Sequence, residues 1–172
     1  MKRNKLLKIL YIGIVLIFLI VISLFLVRFF NEKYLDDVSP EIRCEEYLLK
    51  NSDIFFVIPK FNNFSIADSQ EWCERIKGYN KELALHGVYH TYREFGESRS
   101  EDYLQDGLDA FVDCFGFYPE KFKAPQLIFS QKNKIFLNIN RLELISRFDQ
   151  ITHKTYHCGD TGLFSNNFHR LF

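Results

Sequence analysis

The chain has 172 residues, so one domain is the expectation. Its 22 basic and 22 acidic residues cancel, which leaves no basic field for phosphates and sets nucleic-acid binding aside. With 47% hydrophobic and 17% aromatic residues, it has ample material for a packed core.

Charge is uneven at the N-terminus. Lys2, Arg3, Lys5 and Lys8 precede ILYIGIVLIFLIVISLFLV (9–27), a run without a charged residue. Such a run is long enough to cross a bilayer core as a helix. The basic flank favours a cytoplasmic N-terminus with the remainder exported. A cleaved signal peptide would have a shorter apolar region ending in small residues, whereas this run ends in LFLVRFF. Residues 1–30 are therefore read as a basic end with a transmembrane anchor, and 31–172 as an exported domain. If the first strand leaves the membrane directly, its C-terminal end lies roughly 15–30 Å above the surface.

Beyond the anchor, strand and helix patterns alternate. EKYLDD (32–37) reads as a strand, PEIRCEEYLLKN (40–51) as a helix with Pro40 near its start, and DIFFVIP (53–59) as a strand buried on both faces. DSQEWCERIKGYN (68–80) has capping-box spacing at Asp68 and Glu71, and ELALH (82–86) is the next strand. SRSEDYLQDGLDAFVDCFGF (98–117) is a helix capped by Ser98 with Glu101. Leu104, Leu108, Phe111, Val112 and Phe115 form its apolar face, and Gly116 stops it. KFKAPQLIF (121–129) reads as a strand, SQKNKIFLNIN (130–140) as a short helix, and LELISRF (142–148) and KTYHC (154–158) as further strands. This alternation predicts an α/β fold on a parallel sheet, open or closed into a barrel. The four cysteines, Cys44, Cys73, Cys114 and Cys158, form no close pair and are expected to be buried free thiols, although an exported domain could oxidise them. Asn63 in NNFSI is a glycosylation sequon, relevant only in a eukaryotic secretory route.

In parallel α/β folds, chemistry gathers at the C-terminal strand ends. Here those ends carry Asp36 and Asp37, His86, Lys123 with Pro125, and His157. In LHGVYH, Gly87 permits a sharp turn after His86. A helical turn there would return His90 to the same side, where two imidazoles suit Zn²⁺. Taken singly, His86 and His90 also fit two unrelated loop histidines, and the aspartate pair fits a solvated turn before Pro40. Adjacent carboxylates at a strand end favour a shared cation or proton. One of them, with two histidines, makes a three-ligand zinc site that leaves a position for water. The other can accept that water's proton.

YLDDVSP, DIFFVIP, ELALHGVYH and KFKAPQL, in that order, resemble the polysaccharide deacetylases of carbohydrate esterase family 4. The nearer similarity is to their predicted-deacetylase relatives with DDVSP and LHGxxH motifs, over roughly residues 32–160. The resemblance implies a distorted (β/α) barrel, for which residues 31–172 are short, so an incomplete barrel is expected. It implies that Asp37, His86 and His90 bind a divalent metal, most simply zinc, with Asp36 as catalytic base. The implied reaction is hydrolysis of N-acetyl groups on a carbohydrate. Lys123 stands where the family commonly has arginine before x-Pro, keeping the charge without the planar fork. Lys123 and Pro125 are expected at the substrate. The family's late Leu-His motif, source of the general acid, has no clear match. His157 is the candidate in its place, ahead of His169. Tyr89 could line the sugar site or pack in the core. The alternative function is a catalytically silent relative that binds glycan or a protein partner through the same mouth.

Overall fold

Residues 2–171 are described in this computed structural model, with side chains from Leu7 onward. The first helix, α1 (Lys2–Phe30), contains a stretch Leu7–Phe30 that is long and apolar enough to cross a membrane and is largely exposed, Arg28 near its end being buried. Then follow β1 (Lys33–Val38), α2 (Glu46–Asn51), β2 (Ile54–Val57), and a small antiparallel hairpin, β3 (Lys60–Phe61) and β4 (Phe64–Ser65). The second half runs through α3 (Gln70–Lys77), β5 (Glu82–His86), α4 (Glu101–Phe115), β6 (Lys121–Lys123) and α5 (Lys134–Ile139). It ends with β7 (Glu143–Leu144), α6 (Arg147–Thr152), β8 (Lys154–His157) and α7 (Asn166–Leu171).

Six strands form one parallel sheet in the order β7-β6-β5-β2-β1-β8. The α/β class with a parallel sheet is as expected, and no closed barrel is formed among the described residues. Both faces of the central strands are covered, which explains their continuous apolar runs. One face carries Leu35, Phe55, Val57, Leu83, Leu85 and Phe122, packed with Leu104, Leu108 and Phe111 of α4. The other holds a smaller cluster, Tyr34, Ile54, Phe56, Ala84 and Ile145. Each buried Phe or Leu contributes about 1.5–3 kcal/mol by leaving water.

Several elements depart from expectation for local reasons. The α4 cap is Ser100, which accepts from the Tyr103 N–H, and not Ser98; the left-handed Gly116 ends the helix as expected. Asp68 lies in a 3₁₀ turn, and α3 starts after Ser69 with no side-chain cap. The helix expected from Pro40 begins only at Glu46. The strand expected over 121–129 stops at Lys123, because Pro125 has no N–H to give a ladder and Gln126 and Leu127 are left-handed (φ 53° and 54°). LELISRF gives only β7, after which the Ser146–Asp149 capping box starts α6.

The expectation of free thiols is corrected. Cys44 is bonded to Cys158 and Cys73 to Cys114. The first bridge ties the loop after β1 to the end of β8, and the second ties α3 to α4.

Candidate metal centre

Side-chain alternation along the strands assembles the site. Tyr34 and Asp36 of β1, Phe56 of β2, and Ala84 and His86 of β5 share the face of the smaller cluster. The parallel register then pairs Asp36 with His157 and His86 with Lys123. Alternation alone would send Asp37 to the opposite face. Instead the β1–β2 register slips between Leu35 and Val38, and Asp37 takes a left-handed conformation (φ 61°), so both carboxylates reach one mouth.

Gly87 turns the chain at φ 64°, and His90 is itself left-handed at φ 57°. His90 therefore returns through a tight turn, not the helical turn expected. Beneath that turn lies Glu94, 0% exposed. Its carboxylate accepts from the backbone N–H groups of Val88, Tyr89 and His90 and from the Tyr103 hydroxyl. A Cβ at Gly87 would lie 2.2 Å from Glu94 Oε2, so both the glycine and the buried acid are required to shape this loop.

Asp37 Oδ1 lies 3.3 Å from His86 Nε2 and 3.0 Å from His90 Nε2. Its other oxygen accepts from Thr161 Oγ1 at 2.6 Å. His86 Nδ1 is 3.0 Å from the Lys123 carbonyl oxygen, which can only accept, so Nδ1 carries the proton. In the neutral ring Nε2 is then an acceptor facing Asp37 Oδ1, a second acceptor that is buried and makes no well-aligned hydrogen bond. Two acceptors face each other only if a cation or an added proton lies between them. The three ligand atoms lie within 4.8 Å of one another, and the donor set of two imidazoles and a carboxylate fits a divalent metal. Burial alone would push the Asp37 pKa up, but the close imidazoles of His86 and His90 outweigh it and hold the carboxyl below the usual range. Burial likewise opposes protonation of His86, yet Asp37 and Asp36 reverse it and raise that pKa.

Asp36 faces the same cavity but is engaged differently. Lys123, 1% exposed, places Nζ at 2.9 Å from Oδ1 and 2.7 Å from Oδ2, with the ammonium over the rings of Phe56 and Tyr34. His157 Nε2 is 3.5 Å from Asp36 Oδ2. Asn166 pins the His157 backbone from both sides, accepting its N–H and donating to its carbonyl. A Cβ on Gly162 would fall 2.4 Å from His157 Nδ1, so only glycine lets that loop lie against the ring.

Asp36, Asp37, His86, His90, Lys123 and His157 thus all line one cavity of about 540 Å³. The structure does not bring in Tyr89, whose hydroxyl donates to Asp106 and whose ring packs on Tyr103. Pro125 is buried behind Gly87, while its neighbours Ala124 and Gln126 line the cavity. His169 is buried elsewhere, against Arg28. Sequence reasoning missed Thr161, Glu94 and Asn166. Of these only Glu94 left a trace, an acid four residues after His90 beside an apolar Phe95.

No family model matches the sequence, and no curated protein matches it significantly. Among solved structures, a peptidoglycan N-acetylglucosamine deacetylase superposes with a TM-score of 0.52 at 10% identity, over 66% of this chain and 55% of that one. A family 4 carbohydrate esterase from Streptomyces lividans gives 0.47 at 12% identity, over 67% and 62%. A family 4 pseudoenzyme from Bacillus anthracis gives 0.49 at 15% identity, over 68% and 43%. The chain spans less than two thirds of the length of each of these. Such identities speak to fold. With its parallel sheet and its superposition on the peptidoglycan N-acetylglucosamine deacetylase, the chain has a polysaccharide deacetylase-like fold.

Proposed function

We propose that the protein is a metal-dependent deacetylase that hydrolyses N-acetyl groups of a carbohydrate. Residues 31–172 would be the catalytic domain and residues 1–30 its membrane anchor. The observation that carries this reading is the acceptor facing an acceptor, His86 Nε2 against Asp37 Oδ1. Asp37, His86 and His90 would hold the metal, and zinc suits the set best. When such an ion is bound, the chemistry it supplies is Lewis acidity toward an acetyl carbonyl and a lowered pKa for water.

The remaining steps belong to the chain. Asp36 accepts the proton of the attacking water, with its carboxylate held toward the cavity by Lys123. The water oxygen bonds to the acetyl carbon, the carbon–nitrogen bond breaks, and acetate leaves. His157 donates the proton that the departing amine nitrogen needs. Thr161 keeps Asp37 aimed at the two imidazoles. The basic residues ahead of the uncharged run 9–27 support a cytoplasmic N-terminus and an exported site, and two disulfides suit an oxidising compartment.

A second reading, a catalytically silent glycan- or protein-binding module, is favoured by one observation. Lys123 already contacts both Asp36 oxygens and would weaken a base. The discriminating test is acetate release from N-acetylglucosamine oligomers by the full chain with added zinc. Turnover that Asp36→Asn abolishes while zinc stays bound supports the enzyme. Zinc bound without turnover in the parent protein supports the silent module.

A further inference from the structure

A second cavity, of about 310 Å³, adjoins the catalytic one. Its walls are Leu24 and Arg28 of α1, Leu163, Phe164, and Phe168 and His169 of α7. Three of its lining residues, Gln150, His157 and Leu163, also line the catalytic cavity. The two spaces therefore meet at the side chain assigned as proton donor.

Its depth is set by α1. Leu24 lies six residues before the end of the apolar stretch Leu7–Phe30, or about 9 Å along the axis. The last turns of α1 run beside α6, where Arg28 donates to the carbonyls of Gln150 and Ile151, and Asn31 donates to that of Thr152. Around this junction Leu163 (93% exposed), Leu171, Phe148 and Ile151 stand open. Such exposed apolar side chains beside a membrane-length helix are what a surface seated in lipid would present.

We infer that the catalytic site takes a lipid-linked N-acetyl sugar, with the sugar in the polar cavity and the first methylenes of its apolar chain along Leu24, Phe164 and Phe168. The inference rests on the deacetylase reading for its chemistry and on the second cavity for its chain. A soluble polymer would need no apolar wall opening beside His157. A glycolipid approaching from the bilayer meets that wall first. Each buried methylene is worth about fourfold in affinity, so seating two or more gives at least about a tenfold preference for a chain-bearing substrate.

The test uses the full chain in phospholipid nanodiscs with zinc. The probes are methyl and octyl N-acetylglucosaminides and an octyl analogue carrying a diazirine on its chain. The octyl glycoside should be turned over with at least about tenfold higher kcat/KM. A Phe164→Asn/Phe168→Asn variant should lose that preference while keeping its rate on the methyl glycoside. Photolabelling should fall within residues 163–169 and be competed by the octyl but not the methyl glycoside. Competed labelling without acetate release would uphold the chain site and contradict the deacetylase reading. Equal preference in parent and variant would show bulk partitioning and overturn the inference, leaving the deacetylase intact. Labelling there that the octyl glycoside fails to compete would overturn it too.

Discussion

Glu94 lies under the histidine loop without touching the cavity, yet three consecutive N–H groups point at its carboxylate. Glu94→Gln can still accept some of those bonds but loses the charge that aligns all of them. Zinc affinity, measured by chelator competition, should fall about 10–100-fold, as expected for a residue that orients a ligand through its backbone. Unchanged affinity would mean that the loop holds His90 without it. Lys123 tests the other half of the site. Lys123→Met strands Asp36 without its buried counter-ion and should cost about 3–5 kcal/mol in urea unfolding. The candidate metal trio was legible in the sequence because His-x-x-x-His after a strand and a carboxylate pair at another strand end each carry a spacing. Thr161, Asn166 and Glu94 were not. They act through hydrogen bonds made from loops and from the start of α7, and no periodicity marks such partners.

At the scale of elements, a continuous apolar run located β2, because a strand covered on both faces is apolar throughout. Run ends were less legible. Nothing in KFKAPQLIF shows by hydrophobicity that the ladder stops at Lys123; the stop follows from Pro125 and two left-handed residues. The turn at His90 was placed on the correct side for a different reason than the one expected, a left-handed residue in place of a helical turn. The helix pair α3 and α4 owes part of its docking to Cys73–Cys114, a pairing across 41 residues that spacing could not reveal. Replacing both cysteines by alanine should lower stability by about 2–4 kcal/mol. An unchanged urea midpoint under non-reducing conditions would show that the bridge does not form in solution.

Across the whole molecule, α1 and the rest of the chain meet at His169, where Arg28 donates to Nδ1 at 2.9 Å. Burial first, then Arg28, His157 and Lys154, lower the His169 pKa to about 4, against a weaker pull from Asp160. The unfolded chain therefore binds a proton that the folded chain refuses between about pH 6.5 and 4, and stability falls as pH drops through that window. The loss should be smaller in His169→Gln than in the parent, followed by thermal unfolding in nanodiscs at pH 7, 6, 5 and 4. Parallel curves would place His169 in contact with water. The proposed function requires Asp37, His86 and His90 to share one ion. The most direct measurement is the zinc content of the purified full chain beside a His86→Ala/His90→Ala variant, after equilibration with zinc and removal of the excess. The parent should hold about one zinc per chain and the folded variant none. A folded parent without zinc, or a variant that keeps it, would contradict the assignment.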